Sequence, residues 1–317
     1  MLVFDVELSF RNIRNLLLKV EVHLMRGTRP AGLVVLAGAV GMLGWGTVLP
    51  YQYAYAASSR GWGTIAAAAA SSLFSVGALL AAPLGGRLAD RVSPVRVAVV
   101  AKLVAALASF GLLVASTPMA FLAAMLVFGA GITAAQPAQA VLILRWVGSR
   151  DRRTVFAWQF TASSVGMAVG ALLASQVVDL STPVGMTPAF AVAAAGFVVS
   201  GALIALAGRV ARGTGDTDEV EAGSHNSEIS SGAGASANGF ASTLRTLWAV
   251  PGIRWVAIVT TLVTLGFYAQ FESGLPAYAL LFLDVPERTI GIAAAVNCLV
   301  IVALQMVVVR WTARRDA

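Results

Sequence analysis

The stretch Gly85–Arg91 reads GGRLADR and separates two long apolar segments, near residues 62–84 and 95–115. Paired glycines favour a turn, and the charges of Arg87, Asp90 and Arg91 are costly inside a hydrocarbon core. Each flanking segment matches the roughly 20 residues that a helix needs to cross a bilayer. The stretch therefore predicts a short charged loop that joins two membrane-spanning helices.

The composition of the whole chain indicates an integral membrane protein. Of its 317 residues, 58% are hydrophobic and only 12% are charged, and the mean hydropathy is +0.81. A soluble domain carries about 25% charged residues. The net charge of +7 does not indicate a nucleic-acid-binding protein, because the cations are dispersed among short connections.

Eight apolar segments are long enough to cross a membrane as helices. Their continuous apolar runs lack the alternation of a barrel strand, so the sequence predicts an all-α integral membrane bundle. The predicted spans lie near residues 31–53, 62–84, 95–115, 119–147, 154–178, 187–206, 255–277 and 290–309.

The distribution of lysine and arginine predicts how these spans are oriented. Twenty of the 22 cations fall in both termini and in alternate connections, with Lys102 grouped in the connection after the second span. The remaining connections hold only Arg60 and Arg288. Because short cytoplasmic loops carry the excess of basic residues, we expect a multi-pass protein of the inner or plasma membrane with both termini in the cytoplasm. The excess of arginine over lysine, 20 to 2, indicates a high-GC bacterial genome.

The pattern Gly-x-Leu-Ala-Asp-Arg at residues 86–91 resembles the signature loop of the major facilitator superfamily of transporters, which joins the second and third spans. The resemblance implies a bundle of twelve helices in two halves. It also implies that Gly86, Asp90 and Arg91 form a gate that latches the halves together; the alternative is a solvated turn with ordinary inside-positive charge. Two positions depart from the family pattern, since Ser93 and Pro94 stand where the family prefers glycine and arginine.

Four segments follow from this plan. Residues 1–30 are expected to form a cytoplasmic amphipathic segment, unless translation starts at Met25, and residues 31–207 form the N-terminal six-helix half. Residues 208–244 are Ser/Gly-rich and acidic, which predicts a flexible cytoplasmic linker. Residues 245–317 hold the first two helices of the C-terminal half.

An internal repeat supports this division into halves. Leu49-Pro50 in the first span is matched by Leu275-Pro276 in the seventh, an offset of 226 (275 minus 49). Parallel repeats relate the two halves of such transporters, and on this offset the second half would end at about residue 435. We therefore expect eight of twelve helices, as in a fragment, a truncated gene product or a deliberately shortened chain.

Polar residues within the spans are the candidates for transport chemistry. Glu272 is the only acidic residue well inside a predicted span, so it is the candidate for proton coupling; a carboxylate at the external interface is the alternative. Uncharged polar groups in a central cavity suit a neutral or amphipathic solute, although they also form helix-to-helix hydrogen bonds. The candidate cavity residues are Gln136, Gln139, Gln159, Tyr268, Gln270 and Asn297.

Small residues on the fifth span predict a close-packed helix contact. Gly166 and Gly170 are four residues apart and are followed by Ala174. They partly resemble the antiporter signature of drug exporters, without its Gly-Pro and paired glycines. Met125 stands four residues before Gly129, where many proton antiporters of the family carry arginine.

Three tyrosines follow the end of the first span. Tyr51, Tyr53 and Tyr55 alternate along the chain. Aromatic residues concentrate at membrane interfaces, so we expect them to form an interfacial belt.

The function expected from these observations is secondary active transport. The layout resembles the multidrug exporter branch, which implies proton-driven efflux of drugs or small amphipathic molecules by alternating access. A metabolite or sugar transporter of the same superfamily is the alternative, and a non-transporting membrane remnant is the alternative of another class. We expect a small-molecule solute, protons and the bilayer as partners and a monomer as the oligomeric state. No cofactor, metal site or enzyme activity is expected, since the chain has no P-loop and no catalytic set.

Overall fold

The computed structural model describes residues 29–213, 248–263, 274–283 and 285–313, with side chains up to residue 305. Within these ranges the chain is helical and contains no strand. The helices are α1 (Arg29–Val48), α2 (Gly63–Arg91), α3 (Pro94–Val114), α4 (Pro118–Trp146), α5 (Arg152–Val177), α6 (Thr187–Gly213), α7 (Pro251–Val263), α8 (Leu275–Phe282) and α9 (Glu287–Ala313).

The helices confirm the predicted all-α membrane bundle. In the described part of the chain, seven helices are long and apolar enough to cross a membrane, namely α1–α6 and the Glu287–Gln305 part of α9. The predicted seventh span, 255–277, corresponds to the short apolar helix α7 and to α8, with residues 264–273 outside the described ranges. The predicted N-terminal amphipathic segment also lies outside them, and α6 continues to Gly213, through the first residues of the predicted linker.

The charged motif at Gly85–Arg91 is helical rather than a loop. Helix α2 runs through it and ends at Arg91, and only the extended residues Val92 and Ser93 separate α2 from α3. The turn expected from the glycines does not form because Gly85 lies against α4, where a Cβ would approach the carbonyl oxygen of Ala134 to 2.6 Å. Proline occupies the first position of α3 and of α4. The N–H group that proline lacks would have no partner within the helix at that position.

Glycines set the closest helix contacts. The predicted close-packing face of α5 is confirmed, since a Cβ at Gly166 or Gly170 would overlap the carbonyl oxygens of Ala39 or Leu43 in α1. Helices α2 and α4 meet in the same way at Gly77 and at Gly129. Lipid provides no hydrophobic driving force for helix association, so membrane helices pack through close backbone contacts that small residues allow.

Aromatic rings fill the space between these helix pairs. Trp45 of α1 stacks on Phe74 of α2, with ring centroids 4.5 Å apart. Phe128 of α4 meets Trp45 edge-on at 5.6 Å, and Phe197 of α6 meets Phe128 edge-on at 5.6 Å. Each of these geometries is favourable for aromatic pairs, so the column ties four helices together.

The contacts between residues divide the chain into two compact units. The first comprises Met1–Ala211 together with Pro276–Ala317, and the second is Arg212–Leu275. Helix α9 belongs to the first unit and packs along α5. Ala295 and Cys298 of α9 are buried against Ala168. The Tyr51 hydroxyl donates to the carbonyl oxygen of Glu287 at 2.7 Å, at the start of α9. Helix α7 lies in the second unit.

Candidate solute site

Polar side chains from two helices converge on Gly38 of α1. A Cβ at Gly38 would lie 3.4 Å from Ser163 Oγ, 3.9 Å from Gln159 Cγ and 4.0 Å from Gln139 Oε1. Gln159 Nε2 of α5 donates a hydrogen bond to Gln139 Oε1 of α4, at 3.3 Å. The absence of a side chain at Gly38 therefore leaves a polar surface formed by α4 and α5. The name polar layer is used below for Gly38, Gln139, Gln159 and Ser163.

Gln139 is the buried member of this layer. Its side chain is 4% exposed, and its Nε2 has no hydrogen-bond partner among the described residues. A buried donor without a partner costs about 1–3 kcal/mol. An unsatisfied buried group calls for an explanation, such as a bound water, ion or ligand, so the Gln139 amide is a candidate donor to a bound molecule.

Lys102 of α3 lies beside Gly41, which is one turn along α1 from Gly38. Its position corrects the count of cations in the connection after the second span. The sequence placed Lys102 among the cations of the connection after the second span. The structure places it inside α3, where it is 5% exposed. A Cβ at Gly41 would lie 2.7 Å from its Nζ, and the Nζ is 5.5 Å from the ring centroid of Phe197. The side chain therefore points between α1 and α6, and not to the membrane surface.

Ser200 of α6 completes the surroundings of Gly41. Its Oγ would lie 3.2 Å from a Cβ at Gly41, and it donates to the carbonyl oxygen of Ala37 at 2.6 Å. Serine hydroxyls commonly bond to a backbone carbonyl in membrane helices. Its oxygen keeps acceptor capacity after this bond.

The other predicted cavity residues are distributed differently. Gln136 is exposed although Gln139 is buried, so the two residues do not share one environment on α4. Asn297 is half-buried on α9. Glu272, Tyr268 and Gln270 lie outside the described residues.

The predicted gating residues lie at the end of α2. Asp90 and Arg91 are exposed and Gly86 is half-buried, with only Pro137 Cβ at 4.0 Å from a Cβ built on it. Gly85, its neighbour, makes the tight contact with α4. The Asp90 side chain makes no hydrogen bond or ion pair to any residue that the structure describes. Its carboxylate is thus free to meet a partner from another element.

The tyrosines after α1 do not form the expected interfacial belt. Tyr51 is fully buried and Tyr55 is 3% exposed. The Tyr55 hydroxyl donates to the carbonyl oxygen of Pro183 at 2.9 Å, in the connection between α5 and α6. The Tyr51 hydroxyl bonds instead to the start of α9, and Tyr53 is half-buried. A short helical turn at Gln52–Ala54 and a π-helix at Tyr55–Ser59 follow α1 here.

Sequence reasoning missed three residues of this region, Ser163, Ser200 and Lys102. Serine is too common in membrane helices to single out. Lys102 carried a signal, since it lies eight residues into α3, about 12 Å along the helix at 1.5 Å per residue. That depth places it well inside a hydrocarbon core about 30 Å thick.

Comparison with known proteins gives a family match and several structural matches. The family model described as Major Facilitator Superfamily matches residues 34–317. A solved structure described as a bacterial homologue of the human drug peptide transporters PepT1 and PepT2 superposes with a TM-score of 0.51 at 14% sequence identity. The match covers 77% of this chain and 56% of that chain, so the chain spans just over half the length of that protein. No curated protein gives a significant match.

Proposed function

Because the chain belongs to the major facilitator superfamily of membrane transporters, we propose that it is a secondary active transporter that exports small amphipathic molecules by alternating access, coupled to protons. The observation that supports the proposal best is the polar layer, in which a buried amide donor of Gln139 lacks a partner among the described residues. Uncharged donors and acceptors within apolar walls fix the orientation of a ligand whose surface is mainly apolar.

The chemistry of the layer favours an amphipathic solute. Gln139, Gln159 and Ser163 supply amide and hydroxyl groups, which bind a neutral or weakly polar part of a ligand. Trp45 and Phe74 make the packing between α1 and α2 aromatic and apolar. A sugar carries many hydroxyl groups, and each one needs a polar partner in the site, so a sugar or other polar metabolite is the second candidate.

Gating is assigned to the end of α2. Asp90 and Arg91 are exposed there, and we propose that they pair with another element of the transporter in one state of the cycle. An exposed charge pair that forms in only one state shifts the equilibrium between the two states by its differential free energy.

Proton coupling is assigned to Glu272. A carboxyl group within a membrane span is costly when charged and is a functional candidate for that reason. On this proposal, protonation of Glu272 accompanies one half of the cycle and deprotonation the other half.

The transport class can be tested in proteoliposomes that hold the purified protein and an imposed pH gradient. Ethidium, a lipophilic cation, and glucose, a polar metabolite, are measured in parallel, with protein-free liposomes as the control. Gradient-dependent movement of ethidium supports the exporter proposal, and movement of glucose alone supports the metabolite alternative. Movement of neither solute would favour a membrane protein without transport activity.

The coupling residue can be tested in the same vesicles. Glu272→Gln removes the titrating group and keeps its shape, so gradient-dependent ethidium movement is expected to fall while equilibrium binding of ethidium persists. Glu287→Gln, at the start of α9, is the matched control. Gradient-dependent transport that is unchanged by Glu272→Gln would remove Glu272 from the coupling mechanism.

A further inference from the structure

Lys102 is a cation deep inside the six-helix half. Its side chain is 5% exposed and lies between Gly41 of α1 and the Phe197 ring of α6. Gly201 of α6 also faces it, since a Cβ there would be 3.5 Å from Lys102 Cβ. Glycines on two neighbouring helices thus make the room in which this long side chain lies.

Nothing in the described part of the chain neutralises this cation. The acidic residues there are Asp90, Asp151, Asp179 and Glu287, and each lies at a helix end or in a connection. Lys102 makes no ion pair or hydrogen bond to the described residues, and its polar contact is with the face of the Phe197 ring. A ring face attracts an ammonium group, but it accepts none of the three N–H donors as an oxygen would.

Isolated charges are kept inside membrane proteins where they serve a ligand or an ion path. Nζ lies where the side chain of Gly41 would be, since a Cβ there would approach it to 2.7 Å, so the ammonium group faces the backbone of α1. Gly38 lies one helical turn away on α1, beside the amides of Gln139 and Gln159. The ammonium group of Lys102 and the unpartnered amide donor of Gln139 thus face adjacent turns of α1, and together they form a donor set that matches an anionic oxygen group.

We propose that Lys102 binds a compact, singly charged anionic group, and that this group is the carboxylate of an amphipathic solute bound at the polar layer. The identity of the solute rests on the proposed transport function, whereas anion binding itself does not require transport. Chloride shares the same charge chemistry, and the experiment separates the two sources.

The chain has two lysines, Lys19 and Lys102, which allows a clean comparison. The purified full chain is placed in lipid nanodiscs, and binding of radiolabelled benzoate is measured by equilibrium dialysis in sodium gluconate. Benzamide, which has the same ring without the charge, is the matched probe. Chloride is added in a separate arm as a competitor.

We expect benzoate to bind the unaltered protein at least about tenfold more tightly than it binds Lys102→Met, because a charge-assisted hydrogen bond is lost. Lys102→Arg retains most of the affinity, and Lys19→Met changes nothing. Gly41→Ala weakens benzoate binding as well, since its methyl group takes the space beside Nζ. Gly41→Ala keeps the proposal testable if Lys102→Met folds poorly.

Several results would overturn the proposal. Equal affinity of benzoate for the unaltered protein and Lys102→Met is one, and chloride binding that fully accounts for the Lys102 effect is another. The third is restoration of benzoate binding to Lys102→Met by Glu272→Gln, which would identify that carboxylate as the partner of the cation. Ethidium transport without benzoate binding would reject this inference alone, and benzoate binding at Lys102 without any transport would reject the proposed function alone.

Discussion

Gln159 donates a hydrogen bond to Gln139 across 3.3 Å and so connects α5 to α4 beside Gly38 of α1. The acceptor side of Gln139 is satisfied by this bond, while its donor side has no partner in the described part of the chain. The side-chain oxygen of Gln139 therefore joins two helices, while its side-chain nitrogen is unbonded. The position of that nitrogen, near a glycine of α1, is the basis for the proposed solute site.

The contact between α1 and α5 predicts a strong size limit at Gly166. Gly166→Ala would drive a methyl group into the carbonyl oxygen of Ala39, and overpacking of this kind costs about 1–3 kcal/mol. Gly111→Ala in α3 is the matched control, since its Cβ would lie at an ordinary 3.5 Å from Ala124 Cβ. Thermal unfolding in detergent is expected to show a lower Tm for Gly166→Ala only. A Tm for Gly166→Ala at or above that of Gly111→Ala would show that the helices do not pack as described.

Arg60 is expected to stabilise the connections at one end of the bundle. It donates to the carbonyl oxygen of Ala115 at 2.8 Å and to that of Pro183 at 3.2 Å, and it stacks on Trp62. Arg60→Met should lower the unfolding free energy by about 1–2 kcal/mol through the lost hydrogen bonds. The measurement is chemical denaturation in micelles, with the exposed Arg150→Met as the control. Equal losses for both variants would mean that the three connections are not joined through Arg60.

The hydroxyl group of Tyr55 is expected to make the folded protein less stable at alkaline pH. Burial raises the pKa of its hydroxyl above the ordinary value of 10.0, and the nearby Arg60 opposes this shift. A group whose pKa is raised in the folded state contributes stability that is present below the unfolded pKa and is lost as the pH rises. The Tm should therefore fall as the pH rises above 10.0.

Tyr55→Phe provides the control for this pH dependence. The variant loses the bond to Pro183 and should be less stable at neutral pH, but its Tm should fall less between pH 10 and 11 than that of the unaltered protein. Parallel Tm curves for the two proteins over that interval would contradict the assignment.

Substitution of Asp90 is expected to reduce transport without reducing the stability of the fold. Its carboxylate is exposed and contacts no described partner, so Asp90→Asn should change the unfolding free energy by less than about 0.5 kcal/mol. If Asp90 latches one state of the cycle, ethidium transport should fall about fivefold or more, in line with ordinary coupling energies. Asp151→Asn, an exposed carboxylate at the start of α5, is the control. A large fall in Tm for Asp90→Asn would indicate a structural role instead.

The sequence was sufficient to predict the seven long apolar helices of the described residues, but not which faces of those helices are buried. Apolar length is a property of each segment alone, so the spans could be predicted from residue type and counting. Gly166 and Gly170 could be predicted as a packing face because small residues at that spacing have few other uses in a membrane helix. The loop expected at Gly85 was wrong because a tertiary contact with Ala134 favours the helix there, and local preference is a weak guide against packing.

The candidate site was only partly predictable for the same reason. Gln139 and Gln159 were identified because amides are rare in apolar spans, but Gln136 was grouped with Gln139 although the structure leaves it exposed. Lys102 was counted with the connection after the second span, although the predicted span of residues 95–115 contains it. Its burial depends on which face of α3 meets α1 and α6, and that is set by helix packing that the sequence of α3 does not contain.

The central claim, that the polar layer binds the transported solute, is tested most directly by the rate of pH-driven ethidium transport in proteoliposomes for Gln139→Leu. Loss of the free amide donor should lower the rate about tenfold. The Tm should change little, because removing a buried donor without a partner offsets the loss of the hydrogen bond from Gln159. Gln176→Leu, an exposed glutamine near the end of α5, is the matched control and should transport like the unaltered protein. Equal transport by Gln139→Leu, Gln176→Leu and the unaltered protein would contradict the claim.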